Sequence, residues 1–146
     1  MLKLSTKGRY GVRLMLDLAL HVGQGPVSLR DIARREDISE KYLGHLIAPL
    51  KNARLINSTR GANGGYILAK PPSQITLKDI LSVLEGRMCL VECVENPSFC
   101  KRAGMCIPRE IWCEITGKMF QALTSFTLDK MTERHKIRSE ALTYAI

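Results

Sequence analysis

Aromatic side chains are scarce in this chain, 5% of residues with a single tryptophan. Its core must therefore be assembled mainly from aliphatic groups. No cysteine occurs before Cys89. No apolar run is long enough to cross a bilayer: the nearest approach, "LMLDLALHV", is broken by Asp17, and no small-residue cleavage site follows it. It reads as a helix of the mature protein. With no export signal, the expected location is the cytoplasm, with no membrane partner. Enzymatic signatures are missing as well, with no phosphate-binding loop, dinucleotide fingerprint or serine elbow, and His21 is placed as a structural or exposed residue. The expectation is a protein that is not an enzyme.

What is there is a chain of 146 residues, 45% hydrophobic and 25% charged, enough for one well-buried domain with an appendage. Its net charge of +8 is unevenly placed. Residues 1–70 hold 12 Lys/Arg against 5 Asp/Glu, and residues 71–146 hold 10 against 9, so +7 of the excess lies in the first half. A basic module joined to a nearly neutral one suits a polyanion binder, because phosphate contacts supply most of the affinity for nucleic acid.

Apolar residues at Tyr10, Leu14, Met15, Leu18 and Val22 have the spacing of a helix with one buried stripe, ended by the Gly23–Pro26 stretch. Ser28 then stands as an N-cap for a short helix burying Leu29, Ile32 and Ala33. Ser39 caps a third helix, "EKYLGHLIAPLKN", with Tyr42, Leu43, Leu46, Ile47 and Leu50 inward and Lys41, Gly44, His45 and Lys51 outward. Pro49, which has no amide proton, predicts a kink or an early end near Ala48. Two β-rich runs, Leu55–Thr59 and Tyr66–Leu68, flank a Gly/Asn-rich loop and read as a hairpin with Arg60 at its tip. Thr76 caps a helix that Gly86 stops. After the cysteines, Pro108 opens a long helix with Ile111, Ile115, Met119, Ala122 and Phe126 along one side, and Thr127 caps a last short helix before a polar tail. The units divide as 1–86, 87–107 and 108–146.

Two capped helices, a tight turn and a hairpin follow one another in the order of a winged helix-turn-helix. The expected fold is mainly α with a small β-hairpin wing. In that geometry the helix after Ser39 enters the major groove. Ser39, Lys41, Tyr42 and His45 are the candidates for base or groove contact, and Arg60 suits the minor groove. Tyr42 can equally be a core residue showing only its hydroxyl, and His45 a solvated one.

The cysteines follow the pattern C-x3-C-x6-C-x5-C-x6-C, from Cys89 to Cys113. Paired C-x2-C knuckles of structural zinc and the ferredoxin run are both missing. In a reducing compartment five clustered thiols point to metal binding or redox sensing, with iron–sulfur, zinc and copper(I) open. Cys113, two helical turns after Cys106, is either a further ligand or a small core residue beside Trp112.

"LSTKGRYGVRLMLDLAL", "ISEKYLGHLIAPLKNARLI", "RGANGGYIL" and the three-cysteine loop before an aromatic-bearing helix together resemble the Rrf2 superfamily of winged-helix transcription regulators, and within it the iron–sulfur regulators of the IscR type. The match runs in register from Met1 to about Glu133. The resemblance implies a homodimer crossing at the long helix, about Pro108–Ser125, and pseudo-palindromic promoter DNA as partner. It implies a [2Fe-2S] cluster on Cys93, Cys100 and Cys106, with operons for cluster assembly repressed or activated according to cluster supply. Arg109 stands where such proteins commonly have a histidine ligand, the Cys93–Cys100 interval is one residue longer than usual, and Gly44 replaces a larger polar residue. The fourth ligand is thus open among Cys113, Cys89, a residue of the partner's first helix and a small exogenous ligand. Two rivals remain: an NsrR-like nitric oxide sensor with a [4Fe-4S] cluster, and a small iron–sulfur electron carrier with an incidentally basic surface.

Overall fold

The protein is described by a computed structural model covering residues 3–145. Seven α-helices and one hairpin are present among them: α1 (Thr6–Leu20), α2 (Leu29–Glu36), α3 (Glu40–Asn52), β1 (Ile56–Thr59), β2 (Gly65–Leu68), α4 (Leu77–Glu85), α5 (Glu92–Glu95), α6 (Ile107–Ser125) and α7 (Leu128–Tyr144). The mainly helical, winged fold expected from the sequence is the one observed.

Side-chain caps set most helix starts. Ser5, Ser28, Ser39 and Thr76 each accept a backbone N–H three residues on, and Thr76 and Asp79 form a reciprocal capping box. Asp37 closes α2 in the left-handed region (φ 52°), a conformation that aspartate tolerates better than most residues, and this makes the tight turn into α3.

Leu14, Met15 and Leu18 of α1 meet Ile32, Leu43, Leu46, Leu50, Ile56, Ile75, Ile80 and Leu84 in one aliphatic core. A fully buried side chain of this kind contributes about 1.5–3 kcal/mol. Leu128, at the start of α7, is wholly buried in the same core. Its N–H donates to the Ile75 carbonyl and the Leu77 N–H donates to the Phe126 carbonyl, so the chain after α6 returns to the N-terminal half.

The α1–α4 crossing is close enough to require glycine. A Cβ on Gly11 would lie 1.9 Å from Cδ1 of Leu84, which is 5% exposed and has little room to move. Gly11→Ala should therefore lower stability by about 1–3 kcal/mol in urea denaturation. An unchanged midpoint would show that Leu84 repacks freely.

Three expectations need correction. First, α3 runs on to Asn52, beyond Pro49. The carbonyl left without a donor belongs to His45, whose position is exposed, and Leu46, Ile47 and Leu50 anchor both sides of the proline in the core. Second, α1 ends at Leu20 and leaves Val22 54% exposed, outside the stripe. Third, the last helix is 17 residues long and takes in the segment read as a polar tail.

Candidate nucleic-acid interface and cysteine loop

The helix-turn-helix is held by charge as well as apolar packing. Asp17 of α1 is 2% exposed, and its two oxygens accept from Arg35 of α2 at 2.8 and 2.7 Å. The hydrogen bond from Arg35 to this carboxylate raises the guanidinium above its ordinary pKa, so it stays charged. His21 Nδ1 donates to the Asp17 carbonyl at 2.7 Å and lies 3.6 Å from the carboxylate, giving His21 a structural place at the end of α1. A second tie joins Arg13 to Glu36, Nε to Oε2 at 2.9 Å and the guanidinium again to the Glu36 carbonyl.

On α3, Lys41 and His45 are exposed and face away from the core. Ser39 is exposed too, with its hydroxyl accepting from the Tyr42 N–H at 3.1 Å. Tyr42 is half-buried and packs edge-on against Tyr10, with ring centroids 5.6 Å apart and planes at 88°. It helps to hold α3 on α1, as the packing alternative anticipated.

Arg60 is exposed directly after β1. The hairpin pairs Ile56 with Leu68 through Thr59 with Gly65, and Val27 adds a one-residue third strand, exchanging two hydrogen bonds with Tyr66 at 2.8 and 3.0 Å. This bridge explains a glycine of the "GANGG" run: a Cβ on Gly65 would sit 2.3 Å from the Val27 carbonyl oxygen. Lys51, read as outward-facing, is exposed on α3; sequence reasoning missed Arg30 and Arg34, further exposed cations on α2. The surplus of charge in the first half was their only signal.

The cysteine segment is built from short turns. Cys93 lies in α5, Asn96 caps a single 3-10 turn at Pro97–Phe99, a second follows at Ala103–Met105, and Cys106 leads into α6. Arg109 Nε donates to the Cys93 carbonyl at 2.9 Å and ties the first of these turns to α6. Arg87 reaches Glu92 and Glu95 at 3.5 and 3.6 Å.

All five cysteines are free thiols of intermediate exposure. Their soft sulfur suits iron–sulfur or another thiophilic metal group. Their placement does not yet make such a site: among the described residues no three Cys, His, Asp or Glu side chains converge to hold a metal. Cys93, Cys100 and Cys106 share one segment without meeting as a ligand set, and Cys113 completes none.

α6 is covered on one side only. Its later half packs through Thr116, Met119, Phe120 and Leu123, whereas Ile107, Ile111, Trp112 and Ile115 are 63%, 47%, 39% and 42% exposed. Beyond Thr132, α7 is exposed throughout, including Ile137, Leu142 and Tyr144.

The Rrf2 family model, described as an iron-dependent transcriptional regulator, matches residues 4–134. The chain belongs to the Rrf2 family. It is 45% identical over 127 residues to the protein rrf2 of Nitratidesulfovibrio vulgaris, covering 87% of this chain and 85% of that one. It is also similar to the solved structure of CymR, the global cysteine regulator of B. subtilis, with 44% identity, 92% and 98% coverage and a TM-score of 0.78. The solved T. potens IscR is similar too, with 42% identity, 92% and 88% coverage and a TM-score of 0.75. This Rrf2 protein is thus a winged-helix transcriptional regulator and not an enzyme, which sets the electron-carrier reading aside. Its likeness extends to a cysteine regulator as well as to the IscR type. No helix among the described residues is long and apolar enough to cross a membrane.

Proposed function

We infer that this Rrf2 protein acts in the cytoplasm as a homodimer on promoter DNA, and that the 89–113 cysteine segment is its sensor. Lys41 and His45 reach base edges in the major groove, Ser39 and Tyr42 line its wall, and Arg60 enters the minor groove. Two copies meet through the uncovered half of α6, where Ile107, Ile111 and Ile115 recur at four-residue steps and leave an apolar strip that water disfavours.

The group sensed is an iron–sulfur cluster, [2Fe-2S], with Cys93, Cys100 and Cys106 as its protein ligands, and the genes controlled are those of cluster assembly. The observation that carries the sensor reading is the Arg109–Cys93 tie, which couples the thiol segment to the strip-bearing helix. A change in the segment then biases how two DNA-binding halves are presented, a coupling of about 1–3 kcal/mol in typical cases.

A second reading is favoured by the thiols that do not converge and by the likeness to CymR: the same segment senses thiol supply or oxidation without a cluster. The DNA-binding half is tested apart from the sensor, by anisotropy titrations of the chain's own promoter across a salt series. Arg60→Ala should weaken binding about tenfold and reduce the salt slope by about one ion. Unchanged affinity removes the wing from the interface.

A further inference from the structure

Two arginines of α1 lie against one tyrosine, and their surroundings differ. Arg9 and Arg13 bring their guanidinium carbons to 5.9 and 5.4 Å from the centre of the Tyr10 ring, within the range of cation–π attraction. Arg13 is neutralised: its Nε donates to Glu36 Oε2 at 2.9 Å, and the guanidinium also donates to the Glu36 carbonyl. It ties α1 to the end of α2. Arg9 is exposed and makes no ion pair among the described residues, and its guanidinium reaches only the Thr6 hydroxyl, at a long 3.5 Å. The first turn of α1 has no acidic residue, and Glu85 of α4, which packs on the start of α1, is occupied by the Ser5 N–H and hydroxyl at 3.0 and 2.7 Å. A full positive charge is thus left without a counter-charge.

Its place decides what that charge can meet. The Tyr10 ring beside Arg9 stands edge-on to Tyr42, 5.6 Å away, in the first turn of α3. A helix lying in the major groove has a phosphate backbone on either side, so a cation beside its first turn stands where a strand passes. Guanidinium suits phosphate because its planar fork donates to two oxygens at once.

We propose that Arg9 is a phosphate anchor, gripping the DNA backbone beside the groove that α3 enters and extending the interface from α3 and the wing onto α1. The inference rests on the winged-helix reading above and adds a residue to it. Such a contact positions the protein on the duplex and reads no base, since phosphates carry no sequence. The competing partner is a second copy of the chain, because Arg9 also borders the apolar groove between α1, α4, α6 and α7, and exposed Glu110 and Glu114 stand on the uncovered half of α6. Glu114 is already paired with Lys118 at 2.8 Å, and the contact with Tyr10 keeps the guanidinium beside the ring that meets α3.

The test is anisotropy titration of the intact protein across a salt series on two duplexes of equal length and composition, its own promoter and a shuffled sequence, with sedimentation velocity at the same protein concentrations. Arg9→Ala should lose about fivefold in affinity on both duplexes and about one ion of salt slope, with an unchanged urea midpoint, and Arg9→Lys should keep the slope. Arg13→Ala should keep it as well, because Glu36 already cancels that charge. The inference is overturned if Arg9→Ala has the wild-type slope, if its loss is confined to the promoter, or if Arg13→Ala loses as much slope, since overall charge and not the place of Arg9 then sets the affinity. A shift of the monomer–dimer equilibrium in Arg9→Ala that accounts for the weaker binding also overturns it, because the second copy then owns the residue. Arg60→Ala in the same series keeps the two readings apart. Wild type that binds, with Arg60→Ala weakened and Arg9→Ala unchanged, overturns the anchor alone, whereas wild type that ignores both duplexes overturns the winged-helix reading and the anchor with it.

Discussion

Arg35→Met should destabilise the folded chain by about 2–3 kcal/mol in urea denaturation. Asp17 is the reason: it is 2% exposed, and without Arg35 its carboxylate keeps, among the described residues, only His21 within ion-pair distance, at 3.6 Å. Breaking a buried pair from one side costs about 3–5 kcal/mol, and the lower figure here allows for an arginine side chain that is one-third exposed. The double variant Asp17→Leu/Arg35→Met should recover most of the loss, since two apolar groups leave no stranded charge. Because this pair fixes α2 against α1, the single variant should also bind promoter DNA more weakly at temperatures where it is still folded. A single variant within about 0.5 kcal/mol of wild type would mean that water reaches Asp17 and that the helix-turn-helix is held by apolar packing alone.

The largest functional effect is expected at the thiols. Alanine at Cys93, Cys100 or Cys106 should each abolish the visible chromophore of anaerobically purified protein, because three protein ligands are too few to lose one. Helix content should be unchanged, since all three lie in short turns outside the core. Full chromophore in any one variant removes that residue from the ligand set. Cys113→Ala and Cys89→Ala decide the fourth place: loss in one of them names the ligand, and retention in both moves the search to the partner's first helix or an exogenous group.

How far the sequence carried the fold depended on the range of the interaction. Ser28, Ser39 and Thr76 were legible as caps because their partners lie three residues away, and Leu43, Leu46 and Leu50 were legible by period. The Asp17–Arg35 pair was not, since its members stand 18 residues apart and an aspartate in an apolar run reads as an interruption. The one-residue strand at Val27 has too little pattern to register. α7 read as short because after Met131 it has no buried stripe, and exposed helix positions have no period to detect. Pro49 was overweighted: burial on both sides of it outweighs one lost hydrogen bond whose acceptor belongs to an exposed residue.

The candidate residues divide in the same way. Lys41, His45 and Arg60 were identifiable as outward-facing positions, and Tyr42 was correctly held open, its ring being engaged with Tyr10. Cysteine spacing named a donor chemistry but not whether the donors meet, because that depends on how three short turns fold over α6. Arg109 has no metal-binding chemistry, and its hydrogen bond to the Cys93 carbonyl gives it a different function at the base of the same segment.

The most direct test of the sensor account is iron and acid-labile sulfide analysis, with an absorption spectrum, on anaerobically purified wild-type protein shown to bind its promoter. Two iron and two sulfide per chain with [2Fe-2S] bands is the predicted result. Iron-free protein that binds the promoter with full affinity and responds to thiol oxidation would contradict it and leave the cysteine segment as a thiol sensor.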